Sequence, residues 1–213
     1  MADVKFCGLT RPEDAREGAA LGAAYLGVVF AGGPRQLAAP AARAVLDGAR
    51  PARRVGVFGL QSAGDIAAAA HSAALDVVQL HGASDAALIE ALRRSFSGEI
   101  WRVVRLRGES PDDVLRDAGA LVDAVVIDAR VDGTLGGSGV ALDWERLAAR
   151  LDRVGRPARL VLAGGLKPEN VERAVGLVAP DVVDVSSGVE KAVGIKDHAK
   201  MRAFAVAAAR GGR

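Results

Sequence analysis

Val4-Lys5-Phe6-Cys7, then Thr10-Arg11-Pro12-Glu13, then Tyr25-Leu26-Gly27-Val28-Val29-Phe30 is the stretch on which the fold turns. A short apolar run gives way to a helix-start signal, and about twenty residues later a second β-rich run begins. Runs of this kind recur at 55–58, 77–80, 100–104, 125–127, 160–162 and 182–185. Each is short and most are dense in Val, Ile or Leu, as strands buried on both faces of a parallel sheet are.

Between the runs lie helical segments. Thr10 with Glu13 has the spacing of a capping box, and Ser62 with Asp65 and Ser110 with Asp113 are close variants. Pro111 and Pro168 suit a first helical turn, and Gly48 and Gly98 suit helix ends. Strand–helix alternation requires parallel pairing through crossover helices. Eight units in 213 residues predict an α/β fold, a (β/α)8 TIM barrel with short loops, as one domain over 1–213. An open doubly wound sheet permits the same alternation. It is disfavoured because no Gly-x-Gly-x-x-Gly follows the first strand and the phosphate-type loops come last.

Composition narrows the function classes. Half the residues are hydrophobic and a quarter charged, with 28 Lys+Arg against 26 Asp+Glu and a net charge of +2. That balance carries no overall attraction for nucleic acid or a membrane surface. Cys7 is the single cysteine, so no internal disulfide is expected. The N-terminus lacks a basic stretch followed by an apolar core, and no uncharged run approaches the ~20 residues of a membrane span. The expectation is a cytoplasmic protein, monomer or homodimer. His71, His81 and His198 are scattered without ligand spacing, so no metal and no organic cofactor are expected. His71 and His198 fall in helical stretches and are expected to be solvated.

In such a barrel the active site gathers at the C-terminal ends of the strands. There stand Cys7 after the first run, Arg35 after the second, Gln79 and His81 at the fourth, and Asp128 at the sixth. Gly164-Gly165 follow the seventh run, and Asp184 with Ser186-Ser187-Gly188 close the eighth. Alternation puts Val126 with Asp128, Gln79 with His81, and Asp184 with Ser186 on shared faces. Glycine-bearing loops after strands seven and eight are where barrel enzymes bind phosphate through backbone N–H groups, which assigns Gly164, Gly165, Ser186, Ser187 and Gly188 to phosphate. Gln79 and His81 fit either a substrate contact or a satisfied buried pair. Arg105 reads as structural or solvated.

Several of these segments are motifs. Lys5-Phe6-Cys7-Gly8-Leu9-Thr10, Val57-Phe58-Gly59, Val78-Gln79-Leu80-His81-Gly82 and Gly136-Gly137-Ser138-Gly139 resemble, in order, those of the phosphoribosylanthranilate isomerases. So do Asp143-Trp144, Ala163-Gly164-Gly165-Leu166 with Glu169-Asn170-Val171, the 184–190 segment, and Gly194-Ile195-Lys196-Asp197. The resemblance runs end to end. It implies an Amadori rearrangement of N-(5-phosphoribosyl)anthranilate in tryptophan biosynthesis, with Cys7 as general base and Asp128 as general acid. It further implies Arg35 on the anthranilate carboxylate, Asp184 on substrate hydroxyls, and 136–139 as a loop closing over substrate. A thiol near pKa ~8.5 would need only modest lowering for that work. Family members often carry a serine before the Pro-Arg pair where this chain has Gly33, which leaves the support of Arg35 open. Two rivals remain. The related histidine-pathway isomerase, or a dual-substrate version, carries an aspartate in place of Cys7 and two similar halves, which 1–106 and 107–213 do not show. A non-catalytic phosphosugar-binding barrel would not need both Cys7 and Asp128.

Overall fold

The computed structural model describes residues 1–82, 84–105, 119, 121–128, 143–157 and 159–212. Eight parallel strands form a closed barrel: β1 (Asp3–Phe6), β2 (Tyr25–Val29), β3 (Arg53–Phe58), β4 (Val77–Leu80), β5 (Glu99–Arg105), β6 (Ala124–Asp128), β7 (Leu160–Ala163) and β8 (Val182–Val185). Closure comes from β8 pairing back on β1, with Lys5 beside Asp184 and Phe6 beside Val185. All eight apolar runs are strands; β4 and β8 keep the expected bounds and the other six are displaced by a residue or two at their ends.

Among the described residues the helices are α1 (Pro12–Ala20), α2 (Ala39–Leu46), α3 (Ala63–Ser72), α4 (Ala86–Ser95), α5 (Trp144–Val154), α6 (Val171–Val178) and α7 (His198–Gly211). None of the described helices is long and apolar enough to cross a membrane. Between β8 and α7 the chain makes a 3-10 turn at Ser187–Val189 and a small antiparallel hairpin, β9 (Glu190–Ala192) with β10 (Ile195–Lys196).

Local signals were honoured where nothing distant competed. Ser62 and Asp85 cap α3 and α4, Asp143 caps α5, and Asp197 caps α7 by accepting from two backbone N–H groups. Thr10 does not cap α1. Arg11 occupies that position without a side-chain bond, and the Thr10 hydroxyl donates instead to the Gly194 carbonyl. A partner brought close by the fold outcompeted the local one. Pro168 lies in the turn before α6 rather than inside it. Gly98 follows α4 by three residues; a Cβ there would lie 2.5 Å from the Asp76 carbonyl oxygen, so close backbone approach, not helix termination, demands glycine. The helix start expected at 110–113 lies outside the described residues.

Two apolar layers result. The larger fills the space between strands and helices, with Phe6, Phe58, Leu80, Ile127, Leu162 and Phe204 among its buried members. The smaller fills the lumen with Tyr25, Val55, Val77, Trp101, Ala124, Val126, Val161 and Val182. Tyr25 and Trp101 meet edge to face, centroids 4.7 Å apart. This packed lumen makes the barrel a filled body rather than a pore, and in such barrels the site sits at the C-terminal end.

Candidate active site

That end is the C-terminal mouth. A cavity of about 290 Å³ opens there, floored by Val57, Val103, Val126 and Ala163. Every residue singled out from the sequence as a site candidate lines it: Cys7, Arg35, Gln79, His81, Asp128, Gly164, Gly165, Asp184, Ser186, Ser187 and Gly188. Arg105, at the end of β5, is exposed and does not line the cavity. The loop expected at 136–139 lies outside the described residues.

Cys7 follows β1 directly, and its N–H donates to the Val185 carbonyl at 2.9 Å, extending the β1–β8 ladder by one residue. Across the barrel wall stands Gly27, whose missing side chain makes room. A Cβ there would lie 3.2 Å from Cys7 Sγ and 3.4 Å from Lys5 Cε. The expected lowering of the thiol is not what this environment produces. Burial pushes the Cys7 thiol up, and the charge of Asp184 pushes the same way, against the ammonium groups of Lys5 and Lys196. The help from Lys5 is divided, because its Nζ donates to Asp184 Oδ2 at 2.7 Å in an ion pair almost wholly out of water. Burial alone would lower Lys5, yet Asp184 and Cys7 together hold its ammonium above the ordinary lysine value.

Asp184 has its other oxygen, Oδ1, buried with no hydrogen-bond partner, and Gln79 Oε1 is in the same condition. Both side chains line the cavity. Buried acceptors without donors are costly, about 1–3 kcal/mol each. Two of them in one cavity mark where hydroxyl or N–H groups of a ligand would be received. Gln79 is therefore not an internally satisfied pair with His81.

The glycine loops have backbone reasons for their composition. Gly164 and Gly165 adopt φ of +87° and +70°, where a side chain would be strained. A Cβ on Gly188 would fall 1.9 Å from the Leu166 carbonyl oxygen. Asn170 explains its motif by holding the loop: Oδ1 accepts from the Lys167 N–H at 2.7 Å, and Nδ2 donates to the Gly165 carbonyl at 3.0 Å.

Arg35 answers the question left by Gly33. Its Nε and Nη2 donate to the two oxygens of Glu190 at 2.7 and 2.6 Å. Glu190 also accepts from the fully buried Lys196 at 3.0 Å. Lys5, Glu190 and Lys196 were not among the sequence candidates. Lys5 could have been found, since it stands two residues before Cys7 and strand alternation sends both inward. Glu190 and Lys196 sit on a hairpin with no periodic signal.

His198 is partly exposed, in keeping with the expected solvated state, but it also has a partner. Its Nε2 lies 2.8 Å from Asp14 Oδ1, within a cluster that ties α1 to α7. Among the described residues no group of three or more His, Cys, Asp or Glu side chains could hold a metal ion.

Comparison with known proteins follows the same lines. Residues 4–207 match the family model described as N-(5'phosphoribosyl)anthranilate (PRA) isomerase. The chain is 42% identical to the N-(5'-phosphoribosyl)anthranilate isomerase of Acidithiobacillus ferrooxidans, over 99% of this chain and 98% of the relative. It superposes on the phosphoribosyl anthranilate isomerase of Thermotoga maritima with a TM-score of 0.88 and 33% identity, covering 98% of this chain and 99% of that one. A phosphoribosyl anthranilate isomerase solved with reduced 1-(o-carboxyphenylamino)-1-deoxyribulose 5-phosphate gives a TM-score of 0.85 at 31% identity, again over 98% and 99%. Sequence, barrel and cavity agree: this chain belongs to the N-(5'-phosphoribosyl)anthranilate isomerase family.

Proposed function

We propose that this chain catalyses the Amadori rearrangement of N-(5-phosphoribosyl)anthranilate to 1-(2-carboxyphenylamino)-1-deoxyribulose 5-phosphate, the isomerase step of tryptophan biosynthesis. Asp128 gives a proton to the furanose ring oxygen while the C1–O bond breaks toward that oxygen. The nitrogen lone pair forms the C=N bond of an open-chain iminium ion. Cys7, as thiolate, takes the proton from C2, and the electrons released make C1=C2 and return the lone pair to nitrogen. The enolamine then tautomerises to the ketone.

The observation that carries this reading is that a sulfur from the end of β1 and a carboxylate from the end of β6 line one cavity with the glycine loops after β7 and β8. In this assignment Gly164, Gly165, Ser186, Ser187 and Gly188 take the phosphate, and the end of Arg35 away from Glu190 takes the anthranilate carboxylate. The unpartnered oxygens of Asp184 and Gln79 receive the sugar's hydroxyl groups, and His81 contacts substrate from the same wall. Holding both ends fixes the reacting carbon between acid and base, turning proton transfer into a well-oriented step. No cofactor enters the sequence of steps. We assign the chain to one domain and a cytoplasmic location, as a monomer or homodimer that binds neither nucleic acid nor membrane.

Purified protein should deplete phosphoribosylanthranilate in a fluorescence assay, and Cys7→Ala should not. Turnover of the histidine-pathway aminosugar instead would reassign the substrate, and normal turnover by Cys7→Ala would remove Cys7 from the mechanism.

A further inference from the structure

The hairpin between β8 and α7 has no part in the barrel, yet it delivers two charged side chains to the back of Arg35. A guanidinium has five N–H groups arranged along two usable edges. Glu190 occupies the side edge, Nε with Nη2, through two short hydrogen bonds. Among the described residues the end edge, Nη1 with the second proton of Nη2, is bonded to nothing. Lys196 stands behind Glu190, its Nζ 3.0 Å from Glu190 Oε1 and 3.0 Å from the Ser186 carbonyl oxygen. Gly8 fills the angle between these parts, for a Cβ there would meet Arg35 Cδ at 2.7 Å and Ser186 Oγ at 2.8 Å.

We propose that Glu190 and Lys196 form a strut that sets the substrate's two anionic ends at a fixed separation, with Glu190 as the positioning residue that aims the end edge of Arg35 at the aromatic carboxylate. The inference rests on the reading of Arg35 as the partner of that carboxylate. A lone arginine on a glycine-rich loop would sample many rotamers, and ordering it on binding would weaken affinity. Holding it by the side edge removes that freedom beforehand. Glu190 alone would also cancel the charge Arg35 offers. Lys196 offsets that loss: burial pushes its ammonium below the ordinary lysine value, Glu190 works to keep it charged, and with it protonated two cations and one carboxylate leave a net +1 around Arg35. Burial pushes the Glu190 carboxyl up, but the hydrogen bonds and charges of Arg35 and Lys196 outweigh it and hold the group below its usual range. Because Lys196 also grips the Ser186 carbonyl, the loop assigned to phosphate and the arginine assigned to carboxylate become parts of one rigid frame.

The test is a binding cycle with two probes: reduced 1-(o-carboxyphenylamino)-1-deoxyribulose 5-phosphate, and the same molecule without the ring carboxylate. Calorimetric Kd values would be measured for the unaltered protein, Arg35→Met, Glu190→Gln and the double variant. Glu190→Gln should weaken the carboxylated probe about tenfold, leave the other within about twofold, and have no further effect once Arg35 is Met. Equal weakening of both probes, or of neither, overturns the proposal. If Arg35→Met itself fails to distinguish the probes, the reading of Arg35 falls, and the strut falls with it. Glu190→Asp keeps the charge but draws the guanidinium back, so it should show a smaller loss confined to the same probe. That variant decides the matter if Glu190→Gln does not fold.

Discussion

The two ends of this barrel each set arginines or lysines against carboxylates, and they differ in what they leave over. At the N-terminal end Glu99 receives Arg53, two bonds at 3.0 Å from Arg159 Nη1, and the Trp101 indole N–H at 2.8 Å, so both of its oxygens are occupied. Burial would raise the Glu99 carboxyl, and those donors outweigh it and hold the group low. At the mouth, Lys5 satisfies one oxygen of Asp184 and leaves the other buried and bare, as Gln79 Oε1 is. Similar residue types thus make a closed plug at one end and an incomplete network at the other. An incomplete buried network is costly in isolation and informative about its ligand.

If that contrast is real, substitutions at the two ends should separate activity from stability. Cys7→Ala and Asp128→Asn should each lower kcat by about 10²–10⁴-fold while barely moving the melting temperature. Glu99→Gln should leave kcat unchanged and lower the melting temperature by roughly 3–8 °C, since it strips partners from Arg53 and Arg159. Loss of activity without loss of stability in Glu99→Gln would erase the distinction. Lys5→Met belongs to both regimes. It strands a buried Asp184 charge, at a cost of about 3–5 kcal/mol in urea unfolding. It also removes the strongest opposition to the burial that raises Cys7. A base must be deprotonated, so kcat/KM of the unaltered protein should climb with pH through and beyond the ordinary thiol value of ~8.5. The climb should move to still higher pH in Lys5→Met. A flat profile across that range would separate Cys7 from the rate.

These contrasts also sort what the sequence made legible. Strands at 77–80 and 182–185 carried the same bounds in sequence and structure because each is a short Val-rich run, buried throughout, with a single polar residue at its third position. The rule that barrel sites sit at strand ends then brought Cys7, Gln79, Asp128 and Asp184 to one mouth without any knowledge of distances. What escaped was whatever depended on a partner far along the chain. Arg35 and Glu190 are 155 positions apart, and Thr10 left its expected cap for a carbonyl 184 positions away. Local pattern specifies which face a residue takes; it says nothing of which carboxylate waits there.

A smaller effect refines the mouth itself. Asn170 touches no part of the proposed substrate, and it fixes the Gly165 carbonyl from outside the cavity. Asn170→Ala should raise the KM for phosphoribosylanthranilate about two- to tenfold with kcat preserved, as loss of a neutral hydrogen bond allows. An unchanged KM would mean that the glycines alone hold the loop.

The smallest expected effect lies outside the cavity, in the cluster that ties α1 to α7, and it measures what a fully satisfied charge contributes there. Asp14, without solvent exposure, accepts from Arg11, His198 and the Lys196 N–H. Burial works to raise its carboxyl, and these donors prevail and hold it below the usual range. A carboxyl whose folded pKa is depressed adds stability that is present above the unfolded value of ~3.9 and disappears as pH falls through the folded one. Asp14→Asn should therefore unfold at lower urea than the unaltered protein at pH 7, and the gap should narrow as pH falls below about 4. A gap of constant width from pH 7 to pH 3 would show that Asp14 contributes by shape alone. The plug at Glu99 would then need the same scrutiny before its charges were credited with closing the barrel.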